Sequence, residues 1–237
     1  MSLCTLAQVK TQVGISGSGS DAVLTQLIAG VSAAMARDAG RVWGGSPCLE
    51  KTTLTQLLTV GEDRTRTLWL AAWPVVSITE IKEAAYEGFA DVDALTVAED
   101  YQLDSPLGAI HRIGWWLKEI NSVRVSYIGG YTRADAWASG TAYTTGDVVS
   151  YGSAVYTCTS AVTGTTAPPS DAAHWTLATG QTALPDDLVT AALRQVAHEF
   201  QHRASPGMRG EAVQGASINF HADDRLLPGV RAACAGY

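Results

Sequence analysis

The sequence predicts an α+β fold, with helices packed on an antiparallel β region and a small all-β module inserted into it. Three observations carry this. Apolar residues recur at helical spacing near the start of the chain and again between residues 184 and 203. From Cys48 to Tyr131 the period drops to two, with turn residues between short runs and no helical stretch that could serve as a parallel crossover. Residues 134–180 then shift to threonine, serine, alanine and glycine with scattered aromatics, and only Asp135, Asp147 and Asp171 carry charge there. The expected organisation is a discontinuous domain, 1–133 with 181–237, and an inserted module at 134–180.

At 237 residues, 46% of them hydrophobic and 16% charged, the chain can bury a sizeable core behind a sparsely charged surface. Its net charge of -7 argues against a broad grip on nucleic acid. It leaves room for a protein that lets DNA pass without sequence-specific binding, since an acidic lining repels phosphates. Cys4, Cys48, Cys158 and Cys234 stand far apart, which fits neither a zinc ribbon nor a disulfide framework and predicts reduced thiols. No basic segment leads into an apolar run at the start, and no stretch approaches the roughly 20 apolar residues that span a bilayer. No membrane partner and no cofactor are expected.

Taken in order, Thr5-Leu6-Ala7-Gln8 has capping-box spacing, Leu6, Val9 and Val13 form a short apolar face, and Gly14 stops the helix. Residues 16–20 alternate serine and glycine and read as a flexible link. Ser20 or Asp21 caps a second helix, whose Leu24, Leu27, Ile28, Val31 and Met35 form a stripe up to Gly40. Strands are predicted at 54–60, 66–70, 75–85, 101–103, 109–113 and 122–128, joined as a meander. In the last of these Val123, Val125 and Tyr127 share a face. In the insert, alternating runs flank Tyr151-Gly152-Ser153, a hairpin signal. Pro185, Asp186 and Asp187 open a long helix with Val189, Leu193, Val196 and Phe200 as its apolar stripe. Residues 206–237 have no strong period and read as an assembly tail, ordered only against a partner.

Several of these segments, in this order, resemble the head–tail adaptor (connector) proteins of tailed bacteriophages. They are the two helices ending at Gly40-Arg41, Trp73-Pro74-Val75-Val76-Ser77-Ile78, Tyr101-Gln102-Leu103-Asp104, the run from Val123 to Tyr131, and the Leu184-Pro185 helix. In that family the strand ending at the position of Tyr131 leads at once into the proline-led helix, whereas here residues 132–183 intervene. The intervening segment is similar to small chitinase-type carbohydrate-binding modules through Trp137, Tyr143 to Val149, Tyr151, Val155-Tyr156, Pro168 and Trp175. The first resemblance implies a non-enzymatic structural subunit of the virion neck, assembled in the host cytoplasm. It would form a homo-oligomeric ring that binds the portal protein on one side and the next neck or tail-completion protein on the other. Ile218 and Phe220 are then expected in a strand added to a portal or subunit edge, with Leu226, Leu227 and Val230 as anchors. The second resemblance implies an alternative, a glycan-binding decoration or host-attachment protein contacting a surface glycan through Trp137, Tyr143 and Trp175.

A remoter alternative is explicit in the sequence. His198-Glu199-Phe200-Gln201-His202 matches H-E-x-x-H, the motif of zinc hydrolases. The expectation is nevertheless that no metal binds. The histidines fall opposite the stripe through Val189 and Phe200, and Asp223 or Asp224 would have to supply a further ligand from an unpatterned segment. Trp115-Trp116 reads equally as exposed contact or core. The acidic residues between Glu83 and Asp104 read as solvated, with no pair singled out as acid and base.

Overall fold

The strand with the cleanest alternation, predicted at 122–128, is the one on which the β region is built. The structure is a computed structural model that describes residues 2–61, 65–203, 210–213, 216–219 and 226–237. Its contacts divide the chain into two units, Arg41–Leu184 and Met1–Gly40 with Pro185–Tyr237. The boundary expected at 134–180 therefore falls inside a unit, which the inserted module shares with the β region.

In the Arg41–Leu184 unit, β1 (Val42–Trp43) and β2 (Ser46–Pro47) form a short hairpin, followed by β3 (Thr52–Leu58), β4 (Thr67–Trp69), β5 (Val75–Glu83), β6 (Tyr101–Asp104), β7 (Ala109–Arg112) and β8 (Val123–Gly129). The six predicted strands are all present, but they do not make a meander. They form two antiparallel sheets, ordered β3-β8-β5 and β4-β7-β6. β8, last in sequence, is central because every second residue, Val123, Val125, Tyr127 and Gly129, is buried. Only β6 and β7 join through the expected Ser105–Gly108 turn.

Three polar side chains organise this core. The Tyr127 hydroxyl accepts a hydrogen bond from the Ala72 amide (3.0 Å) and donates one to Gln56 Oε1, which also accepts from the Ala71 amide (3.0 Å). Burial pushes the Tyr127 phenol up to about 12. Arg41 is only 2% exposed. Its guanidinium lies 3.3 Å from the centroid of the Trp73 ring, donates to the Trp73 carbonyl and is hydrogen-bonded with Tyr131. Burial pulls its pKa down to about 10.

The inserted module contains β9 (Asp135–Ala136), β10 (Ala142–Tyr143), β11 (Val148–Tyr151), β12 (Ala154–Cys158), β13 (Val162–Thr163) and β14 (Trp175–Thr182). β14, β12, β11 and β9 form one sheet, and β10 pairs with β13. The predicted hairpin is the β11–β12 turn, with Gly152 at φ 62°. The ends of the module meet. Thr132 donates to the Thr182 carbonyl (2.8 Å), and the Leu184 amide donates to the Thr132 carbonyl (2.9 Å). β14 also packs against β5, where Gly180 at φ 75° leaves no room for a Cβ beside the Val76 carbonyl.

In the other unit, α1 (Leu6–Val13) carries the expected capping box, and α2 (Asp21–Asp38) buries Leu24, Ile28, Val31 and Met35. α3 (Asp186–His202) packs on both, and on α4 (Pro228–Cys234). The buried face of α3 differs from the expected one. Leu188, Ala191, Ala192, Gln195, Val196 and Phe200 are buried, while Val189 and Leu193 are half-exposed. Small and amide side chains fill the positions where the neighbouring helices approach closely.

The expectation that residues 206–237 wait for a partner needs correction at their C-terminal end. α4 is docked through buried Val230 and Cys234, the Leu227 amide donates to Gln195 Oε1 (2.9 Å), and the Tyr237 hydroxyl donates to Asp187 (2.9 Å). Seven helical residues suffice because these polar anchors lie at both ends. Upstream, β15 (Gly210–Val213) and β16 (Ala216–Asn219) form an antiparallel pair.

Gly129 sets a sharp test of the β8 position. A Cβ there would collide with the Ala72 carbonyl, whereas one on Gly17 meets open space. Gly129→Ala is expected to lose about 2 kcal/mol or more in denaturant unfolding. Gly17→Ala is expected to change stability by less than about 1 kcal/mol.

Candidate functional site

The inserted module offers the clearest surface feature built from side chains. Its core is Val149, Cys158 and Trp175, with Trp137, Tyr143, Tyr156 and Val162 packed against it. Trp175, expected as a glycan contact, is 3% exposed and meets Tyr143 edge to face at 5.1 Å between centroids, so its ring presents no face to a ligand. Tyr143 is half-buried, and its hydroxyl accepts from the Ala138 amide (2.8 Å). Trp137 is half-buried over Gly164, where an added Cβ would stand 2.9 Å from Nε1.

The exposed ring of the module is Tyr151, 43% exposed and edge to face with Trp137 at 5.8 Å. It was not among the expected contact residues. The signal for it lay in the strand period, since Tyr151 follows buried Val149 by two residues and shares its face at the hairpin end, where the core has run out. A phenol ring beside a half-buried indole offers a stacking platform and no acid, base or nucleophile.

The expected partner-contact residues separate. Val230 is 2% exposed inside its own unit, and Leu226 and Leu227 are half-buried. Leu227 and Val230 line an open groove of about 560 Å³ between α3 and α4, with Asp186, Asp187, Thr190 and Arg194 on its other side. Ile218 lies in β16, and Phe220 lies outside the described residues.

The H-E-x-x-H residues sit on one edge of α3. His198 and His202 are half-buried with ring centroids 4.5 Å apart. They follow Ala191 and Gln195 by seven residues each, so they flank the buried face and do not lie opposite it, as the sequence had suggested. Glu199 accepts a hydrogen bond from Gln195 Nε2 (2.9 Å), the same amide whose oxygen holds Leu227. Among the described residues, no three His, Cys, Asp or Glu side chains are grouped so as to hold a metal ion. Asp223 and Asp224 lie outside them.

In the acidic stretch Glu87, Asp91, Asp93 and Glu99 are exposed, as expected, while Glu83 and Asp100, with Glu80 just before the stretch, pair with arginines on the strands. Arg112 bridges Glu83 (3.2 Å) and Asp100 (3.1 Å), and Arg124 pairs with Glu80 (3.1 Å). A hydrogen bond from the Thr96 amide, with Arg112 beside it, lowers the Asp100 carboxyl below the usual range. Of the tryptophan pair, Trp116 is buried, with its indole donating to the Arg66 carbonyl (3.0 Å), and Trp115 is exposed beneath the Arg66 guanidinium.

Residues 136–176 match the model of carbohydrate-binding module family 5/12. No curated protein matches the chain. Among solved structures, the chain is similar to a protein chain in the neck of an empty gene transfer agent (GTA) particle, computed with C6 symmetry. The two are 14% identical with a TM-score of 0.47, over 92% of this chain and 83% of that one.

The protein is expected to hold no stoichiometric zinc after dialysis, because Glu199 is engaged within the helix and, among the described residues, no third ligand is grouped with His198 and His202. Elemental analysis checks this, and about one zinc per chain that disappears in His198→Ala would reverse it.

Proposed function

We propose that the chain is a structural head–tail adaptor of a tailed phage or phage-like particle. In this reading its copies form a ring at the neck, bind the portal on one side and receive the next neck or tail component on the other. The carrying observation is how the insert is spliced in. Thr132 bridges to Ala183 and Leu184, so the backbone leaves β8 and reaches the proline before α3 as it would without residues 134–180. That junction, β8 followed directly by a proline-led helix, is the arrangement the resemblance implies, and the insert is the main departure from it.

Three residues from the segments that carry the resemblance, Arg41, Trp73 and Tyr131, also converge on one another. Function in such a subunit lies in interface geometry and a central opening, with no chemical step. The net charge of -7 suits an opening through which DNA slides. Electron microscopy of the purified protein, alone and with its portal, should show rings or capped portals. Monomers that leave the portal bare at micromolar concentration would sink the proposal.

The match of residues 136–176 favours a second reading for the module alone, as a glycan-binding decoration on the particle surface. Tyr151 is then the stacking residue. Retention on chitin should fall to background in Tyr151→Ala with the melting curve unchanged. A wild-type protein that passes through the column unretained removes this reading and leaves the adaptor proposal untouched.

A further inference from the structure

The two edges of the β3-β8-β5 sheet are treated differently. At the β5 edge the register slips twice, between Val75 and Ser77 and between Ile78 and Glu80, and β14 packs against the strand. Bulges and a covering segment are the usual means by which an edge is kept from recruiting another strand. β3 has neither. It runs in unbroken register from Thr52 opposite Gly129 to Leu58 opposite Val123, and its sequence Thr-Thr-Leu-Thr-Gln-Leu-Leu contains no proline, glycine or charge. Its outward Thr53 and Thr55 are exposed. The outer edge of β3 therefore presents about 23 Å of regular, unguarded backbone.

The chain also holds a strand pair with the opposite deficiency. Among the described residues, β15 and β16 form a two-stranded sheet that joins no other sheet. An isolated hairpin is marginal in water, and a third strand is the ordinary remedy. Four residues of β16 span about 13 Å, which fits within the length of β3.

We propose that the open edge of β3 accepts β16 from a second copy of this chain, extending the β3-β8-β5 sheet across the subunit boundary. The inference rests on the ring reading and gives it a contact. Two different surfaces meet, edge and hairpin, so the contact is head-to-tail and repeats around an axis, whereas β3 pairing with another β3 would stop at a twofold dimer. Strand addition draws its affinity from main-chain hydrogen bonds, which explains why β3 can be polar on its exposed side and still be an interface.

The test uses two full-length variants, each checked for an unchanged melting curve. Thr53→Glu with Thr55→Glu places like charges on the edge of a chain that is already acidic. Ser217→Pro removes a backbone donor from β16. Each variant alone should sediment as a monomer where the wild type forms rings. Mixed one to one they should form a dimer and nothing larger, because one supplies the intact hairpin and the other the intact edge. Rings that persist in either variant overturn the inference and leave the ring reading standing, and so do dimers formed by Ser217→Pro alone. A wild type that is monomeric throughout removes both. If the double glutamate variant melts low, Ser217→Pro decides by itself.

Discussion

The β unit depends on a cation held where water cannot reach it. Moving a guanidinium out of water costs several kcal/mol, and that cost is offset only if hydrogen bonds and a polarisable surface surround it. For Arg41 those are the Trp73 ring and carbonyl and the side chain of Tyr131. The groups come from the first residue of the unit, from the segment leading into β5, and from the residue two beyond the end of β8. Satisfying one charge thus fixes three points remote in sequence against one another. Cys48 extends the arrangement, its amide donating to the Arg41 carbonyl (3.0 Å) and its thiol to the Ala71 carbonyl (3.3 Å).

Buried polar groups do similar work elsewhere in the chain. Tyr127 and Gln56 draw the Ala71 and Ala72 amides onto the sheet, so an irregular segment is tied down by side chains in place of a ladder. Gln195 does the same for the approach to α4. In each case a segment that makes no regular backbone pairs is satisfied by a side chain from a rigid element, as buried backbone groups require.

These anchors mark the limit of what the sequence disclosed. The strands were legible because alternation such as Val123, Val125, Tyr127 has one structural meaning, and the first helix because Thr5 and Gln8 cap it. The order of strands was not, since alternation says which residues are buried and nothing about which strand lies beside which. The face of α3 was misjudged because Val189 and Leu193 outrank Ala191, Ala192 and Gln195 in hydrophobicity, while close helix approach favours the smaller set. α4 escaped notice because a short helix led by Pro228 and Gly229 has too little period to register. At the candidate site, Trp175 was expected as a glycan contact through the resemblance, but its large ring fills the module's core, while Tyr151 was passed over. Arg41 could not be found by pattern at all, because a lone charged residue reads as surface until its partners are brought to it.

The hydrogen bonds that close Thr132 against Thr182 and Leu184 mean that the module enters and leaves through neighbouring points of a single ladder. A domain attached in this way has both termini about one strand spacing apart, roughly 5 Å, and asks of its replacement only that its own ends be equally close. The position behaves as a socket. Exchange of one small β domain for another there, by recombination or by design, would change the surface the chain presents while leaving the reading frame and the path of the host strands intact.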